Sequence, residues 1–406
     1  MKQLRLALIF SVLALRAAYA QRDQEPIPDF TNLDEFIYEP KTTLTLGVRS
    51  LTGAKTSFAG QGLIKSPDFP GNATDSNVQR FYHDGDVQPD TRTTAVDNGD
   101  GTTSLVPITP DGKTNSWGYL DSRQATNYPG YIGMNNYSAA VTDTRVRVRD
   151  GQGSMGVELA VARDMGKVFN TRFSWTIGGG VTVNDVNATA NGNVLANVIT
   201  ETDLFSLYGE TAPTAPYDSR NTTQTTTTIT DGNGNPVLNA DGTPQTVVTD
   251  TTVLLGNTPV QRITRTTTDE TSVTHRSKVK GAYYTFRAGP TLWMPITNRF
   301  RISLSVGGTM IFVGTNYTLV QSFQPETGAE ITETLDNDES KFLPGYYADA
   351  TLQFDVTPRT GFYAGAMLQG SGDYEQNIKD NAGTNYSSKI DFGNQSGFRA
   401  GMTIKF

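Results

Sequence analysis

The 406 residues include two histidines and no cysteine, which leaves little material for nucleophilic or soft-metal chemistry. His83 sits in Tyr82-His83-Asp84-Gly85-Asp86, where a histidine beside a carboxylate could activate a hydroxyl or a water. No serine stands at a recognisable motif, and a polar loop histidine in an acidic turn is the plainer reading. His275 lies in Thr274-His275-Arg276, within a Thr-rich stretch. Asp97-Asn98-Gly99-Asp100-Gly101 and Asp336-Asn337-Asp338-Glu339 could offer oxygen ligands to Ca²⁺. Neither matches an EF-hand loop with its terminal Glu, so turn chemistry and solvated acid account for both. Gly178-Gly179-Gly180 falls inside a strand pattern and not before a helix, so it relieves crowding rather than cradling phosphate. The sequence therefore gives no reason to expect a metal or a cofactor. What remains is a set of charges: Arg49, Glu158, Arg287, Asp349 and Arg399.

The elements that must position those charges show period-two alternation. In the last eleven residues Ser396, Phe398, Ala400, Met402, Ile404 and Phe406 share one face, opposite Gly397, Arg399, Gly401, Thr403 and Lys405. Segments 42–51, 155–164, 172–183, 282–294, 300–312, 346–356 and 360–370 repeat the pattern, each with an apolar face and a small, polar one. At about ten residues they match the length of a tilted membrane strand. Their aromatics, among them Phe173, Tyr284, Phe300, Phe312, Tyr346, Phe354 and Phe406, fall near segment ends, as interface girdles require. Connections 165–171, 295–299 and 357–360 are short, whereas 53–153, 184–280, 314–342 and 372–394 are long and polar. A secreted sandwich would also alternate, but it would not explain this short–long rhythm.

The expected fold is all-β, a closed antiparallel transmembrane up-and-down barrel of about eight strands, with ten to twelve as the alternative. Ser138–Arg149 and Val194–Tyr208 threaten the count; both lack an aromatic apolar face and read as extracellular extensions. Thr91–Val96 with Thr102–Pro107, and the Thr-rich stretches 222–230, 246–252 and 263–274, read as hairpins above the membrane. The eight segments resemble the small OmpA/OmpX-type outer-membrane barrels in pattern, without a signature motif and without the two largest loops. That resemblance implies insertion by the outer-membrane assembly machinery, reading the terminal strand with Phe398, Met402, Ile404 and Phe406 as its signal.

Aligned from their short-turn ends, the segments bring Arg49, Glu158, Arg287, Asp349 and Arg399 to one height on the polar faces. An eight-stranded interior is just wide enough for side chains to fill, so charges there must pair into a plug. Arg49, Glu158 and Arg399 are expected as neighbours around the seam, with Arg399 either repelled by Arg49 or bridged through Glu158. Arg287 should pair with Asp349 across the lumen, two strands away.

The domain plan follows. Residues 1–20 (Lys2 and Arg5, an apolar run, then Ala18-Tyr19-Ala20) read as a signal peptide and 21–40 as a periplasmic linker. Residues 41–406 form the barrel, with large insertions at about 53–153 and 184–280. Cleavage would leave 30 basic against 41 acidic side chains, which argues against nucleic acid as a partner. The expected home is the outer membrane of a Gram-negative-type bacterium, with its lipid and assembly machinery as partners and a loop ligand the sequence does not name. The expected role is structural or display-like, not enzymatic. A diffusion channel for small polar solutes is the alternative, and a hydrolase resting on His83 a distant third.

Overall fold

Alternating Val, Leu, Phe and Thr, sparsely interrupted by proline, commits most of the chain to strands. The computed structural model describes residues 41–66, 78–99, 102–143, 145–150, 153–221, 225–239, 242–249, 252–379 and 385–406. The expected signal peptide and linker lie outside them, as do Asp100, Gly101, Gly151 and Gln152.

The main strands are β1 (Thr42–Thr52), β2 (Lys55–Gly60), β3 (Leu63–Lys65), β4 (Tyr131–Val141), β5 (Arg147–Asp150), β6 (Ser154–Lys167) and β7 (Ser174–Ser206). They continue as β8 (Gln261–Pro295), β9 (Phe300–Phe323), β10 (Ile331–Asp355), β11 (Thr360–Ser371), β12 (Asp373–Lys379), β13 (Asn385–Asp391) and β14 (Gln395–Lys405). The largest sheet has ten strands, ordered β6-β1-β14-β11-β10-β9-β8-β7-β4-β3, more than the eight expected. A further pairing of β6 with β7 closes eight of them into a ring, leaving β4 and β3 outside it. Every pairing in the ring is antiparallel, and the seam is sealed to the last residue: Phe406 N–H donates to Thr42 O, and Thr42 N–H to Phe406 O.

Above the ring, four staves run on unbroken as β7, β8, β9 and β10. The other four break and resume as a second sheet, β5-β2-β13-β12, which keeps the neighbour order of β6-β1-β14-β11. The lower ring thus opens into two facing sheets. Polarity inverts at the same transition. In β9, Leu304 and Val306 face outward at 57% and 58% exposure while Ser303 and Ser305 are buried inside. A few residues higher, Ile311, Val313, Tyr317 and Leu319 are fully buried inside, and Asn316 and Thr318 take the outer face. β7 does the same, with Val181 and Val183 outward below but Val186, Ala188 and Ala190 inward above. Along β7 and β9 alternation keeps its phase through the transition; the two faces exchange character.

The upper interior is an ordinary core, with Phe58, Tyr374, Tyr386, Ile390 and Phe392 meeting Val186, Val279, Ile311, Val313 and Leu319. A second cluster joins β3 and β4 to β7–β10, and a third builds a small cap sheet around Trp117, Tyr119 and Phe205.

Several expectations need correction here. The stretches 184–206 and 261–280 are not loops but continuations of β7 and β8, and 263–274 is not a free hairpin but part of β8. Ser138–Arg149 is split: its start belongs to β4, paired with β7, and its end to β5 in the second sheet. The hairpins Thr93–Asp97 with Thr103–Pro107 and Thr225–Thr228 with Thr246–Thr249 are present.

Candidate functional site

The ring interior brings four of the five sequence-marked charges into a box. Arg287 (β8) reaches Glu158 (β6) at 2.7 Å and Asp349 (β10) at 3.0 Å. Arg399 (β14) reaches Asp349 at 3.1 Å and also pairs with Glu158. Each cation therefore bridges both anions, and all four side chains are at least nine-tenths buried. Two plus and two minus charges cancel, the condition under which enclosed ions are tolerable at all.

Two tyrosines hold the box, and the sequence reading missed both. The Arg287 guanidinium stacks over Tyr347 at 5.3 Å and that of Arg399 over Tyr363 at 5.0 Å, adding cation–π attraction. Both rings lie flat along the wall because glycines face them. Tyr347 crosses Gly307 to Gly289, where a Cβ would meet its ring at 2.6 Å and its hydroxyl at 3.0 Å. Tyr363 crosses Gly401 to Gly47, where a Cβ would fall 2.1 Å from its hydroxyl. Tyrosine on one strand and glycine on the next two is the signal that could have found them, but it needs the register.

Arg49 departs from the expected plug. It lies directly across from Arg399 in the β1–β14 register, while Glu158 is paired with Gly47, two residues lower. Its guanidinium passes over Gly156 instead, donating to Asn184 Oδ1 at 2.7 Å, Gln369 Oε1 at 3.2 Å and Thr285 Oγ1 at 3.0 Å. It is a separate, neutral-liganded cation above the box and not a partner of Glu158. Gln369 continues to Gln395 and Gln395 to Tyr283, a polar layer on which Phe392 and the upper core rest.

Below the box lies a cavity of about 350 Å³ lined by Thr43, Thr45, Trp293, Arg301, Gln353 and Lys405 among others. Asp355 gathers Arg301 at 3.1 Å and Lys405 at 3.2 Å at this end, with Arg301 stacked over Trp293. The interior, read upward, is cavity, ion box, amide layer and hydrocarbon core.

The other candidates separate. His83 Nε2–H donates to Ala329 O at 2.8 Å and its ring packs edge-on against Tyr137. Asp84 turns away from it to accept from the Asn135 N–H at 2.7 Å, from Asn135 Nδ2 at 2.6 Å and from Thr327. Burial raises the Asp84 carboxyl pKa, and those three bonds offset part of the rise. The two neighbours share no proton path, so the histidine–carboxylate dyad is not formed. Asp97 serves its own turn by accepting from Gly99 N–H. Strand alternation puts Asp336 and Asp338 on the opposite face from Asn337 and Glu339, so those acids cannot converge on a cation. No cluster of three metal-ligating side chains occurs among the described residues. Phe398, Met402 and Ile404 face outward on β14, and Phe406, just beyond its end, is exposed as well.

No family model matches the chain, and no curated protein matches it. Among solved structures it is similar to the outer membrane protease OmpT of Escherichia coli, at 8% identity and TM-score 0.26, covering 91% of this chain and 97% of that one. It is also similar to a Pseudomonas aeruginosa FadL homologue, at 9% identity and TM-score 0.17, covering 90% of each. Likeness at this level transfers no residue and no activity.

Proposed function

We propose that the chain is an integral outer-membrane β-barrel of structural or display type, eight-stranded where it spans the bilayer, with a filled lumen and a folded extracellular part. One observation carries the reading: apolar and polar faces exchange along continuous strands. Only a change of solvent around the molecule favours that pattern, hydrocarbon outside below and water outside above. Outward rings mark both limits. Tyr284, Phe312 and Phe342 lie side by side on β8, β9 and β10, and Phe300, Phe354 and Phe362 do so at the short-turn end. The twelve residue steps from Phe300 to Phe312 rise roughly 30 Å at a strand tilt of ~40°, close to an outer-membrane apolar band.

A display role is favoured over a channel because two unlike obstructions stand in series, the ion box and the upper core. Catalysis is disfavoured because His83 and Asp84 serve different partners. The test is reconstitution in lipid vesicles and planar bilayers. The protein should float with vesicles, show a β-type far-UV spectrum and give no stepwise conductance. A monodisperse protein without detergent would overturn the membrane assignment, and regular conductance steps would put the channel reading in its place. The terminal strand is proposed as the assembly signal, so Phe406→Ser should reduce folded protein in the membrane fraction; unchanged levels would remove that role.

A further inference from the structure

From the outer face of β8 we infer a docking surface for phosphate-bearing lipid headgroups, formed by Arg276, Lys278 and Lys280; it rests on the membrane reading above. These three alternate outward on one strand, Arg276 and Lys280 exposed and Lys278 half-buried. They stand above Tyr284, the outermost ring of the apolar band on that strand. Lys280 is four residues beyond it, roughly 10 Å along the membrane normal, within reach of the headgroup zone for a long side chain that bends toward it.

The surroundings leave the cations uncommitted. Their partners on β7 are Asn191, Thr189 and Asn187, and on β9 Val320, Thr318 and Asn316, none of them charged. No carboxylate pairs with any of the three among the described residues. Asp185, on β7 beside Ala282, accepts from Ser154 Oγ at 3.2 Å. Asp338, two strands away, is held by Asn316 Nδ2 at 2.9 Å. At the same height Asp336 and Asp338 face out on β10, in register across β9 with Lys278 and Lys280. The second sheet carries both signs outward, Asp373 and Glu375 with Lys55, Lys379 and Lys389, the last paired with Asp373 at 2.6 Å. On β8 the outward cations above the apolar band are thus gathered into one uninterrupted row, bounded by the acids of β10. A layer of lipid phosphates is attracted to that row, so anionic lipid collects along β8.

The experiment titrates the detergent-solubilised full chain with phosphatidylglycerol and, separately, phosphatidylcholine, counting bound lipids by native mass spectrometry. The parent should prefer phosphatidylglycerol, and the preference should shrink as salt is raised. The triple variant Arg276→Gln, Lys278→Gln, Lys280→Gln should lose affinity by roughly fivefold per cation removed. Lys55→Gln with Lys389→Gln, charges on the other sheet, should keep it. Equal preference in parent and triple variant overturns the inference, as does complete displacement by inorganic phosphate, which would make the row a free-anion site. Vesicle flotation of the same samples separates the two claims. A parent that fails to float defeats the membrane reading itself, whereas floating protein without lipid preference defeats only the docking surface.

Discussion

His275 shows how far one side chain can report on the upper core. It sits buried between the two sheets, its Nδ1 accepting from Gln321 Nε2 at 3.0 Å and its Nε2 2.8 Å from Ser277 Oγ. Burial, with the Arg147 charge adding to it, pushes its pKa down from 6.5 to about 4. A base depressed in the folded state binds its proton more readily when unfolded. Between about pH 6.5 and 4 the unfolded chain therefore holds more protons, and stability falls as pH falls through that window. The loss approaches about 3 kcal/mol at its acid end. Urea unfolding across this range should show the slope, and His275→Gln, which keeps a polar side chain there, should flatten it. A slope that survives the substitution would assign the effect to other groups.

At the scale of the strand, the phase-locked inversion makes the outer face of β9 its own control. Val306 lies near the middle of the outward apolar stretch, and Thr318 is on the same face beyond the upper aromatic row. In a bilayer, Val306→Arg should cost about 2–4 kcal/mol and Thr318→Arg about 0–1. Equal costs, measured by denaturant unfolding in vesicles, would mean that no apolar solvent surrounds the lower ring. The inversion also explains what the sequence could and could not disclose. The lower segments were legible because large apolar residues alternate with Ser, Thr and Gly, and that contrast fixed both strand and face. The upper halves alternate with the same period, but Ala188, Ala190 and Thr-rich neighbours blur which face is apolar, so β7 and β8 read as ending near 183 and 282. All five charges were legible as an interior set because parity alone puts them on the polar face. Arg49's separate fate, and the part played by Tyr347 and Tyr363, depend on which glycine stands across the strand. Register of that kind comes from closure of the ring and is not local.

At the scale of the whole molecule, the two obstructions decide what removal of Glu158 does. In the ring alone, Glu158→Ala would leave Arg287 and Arg399 sharing Asp349, an excess of one buried positive charge. Breaking such a set costs about 3–5 kcal/mol where the charge that loses its partner stays dry, and less where water reaches it. The cavity beneath offers that water a way in from the short-turn end, so the freed guanidinium groups hydrate downward. Upward the path stays shut. Arg49 is already satisfied by Asn184, Gln369 and Thr285, and above it Tyr283 and Phe392 meet edge to face at 5.2 Å with both rings buried. Stability and permeability are therefore uncoupled. Glu158→Ala should unfold at lower denaturant yet pass no more current than the parent. Adding Phe392→Ala, which removes the ring resting on Tyr283, should be the step that admits ions. Current from Glu158→Ala alone would show that the box is the sole seal and that the upper sheets enclose a wet passage rather than a core.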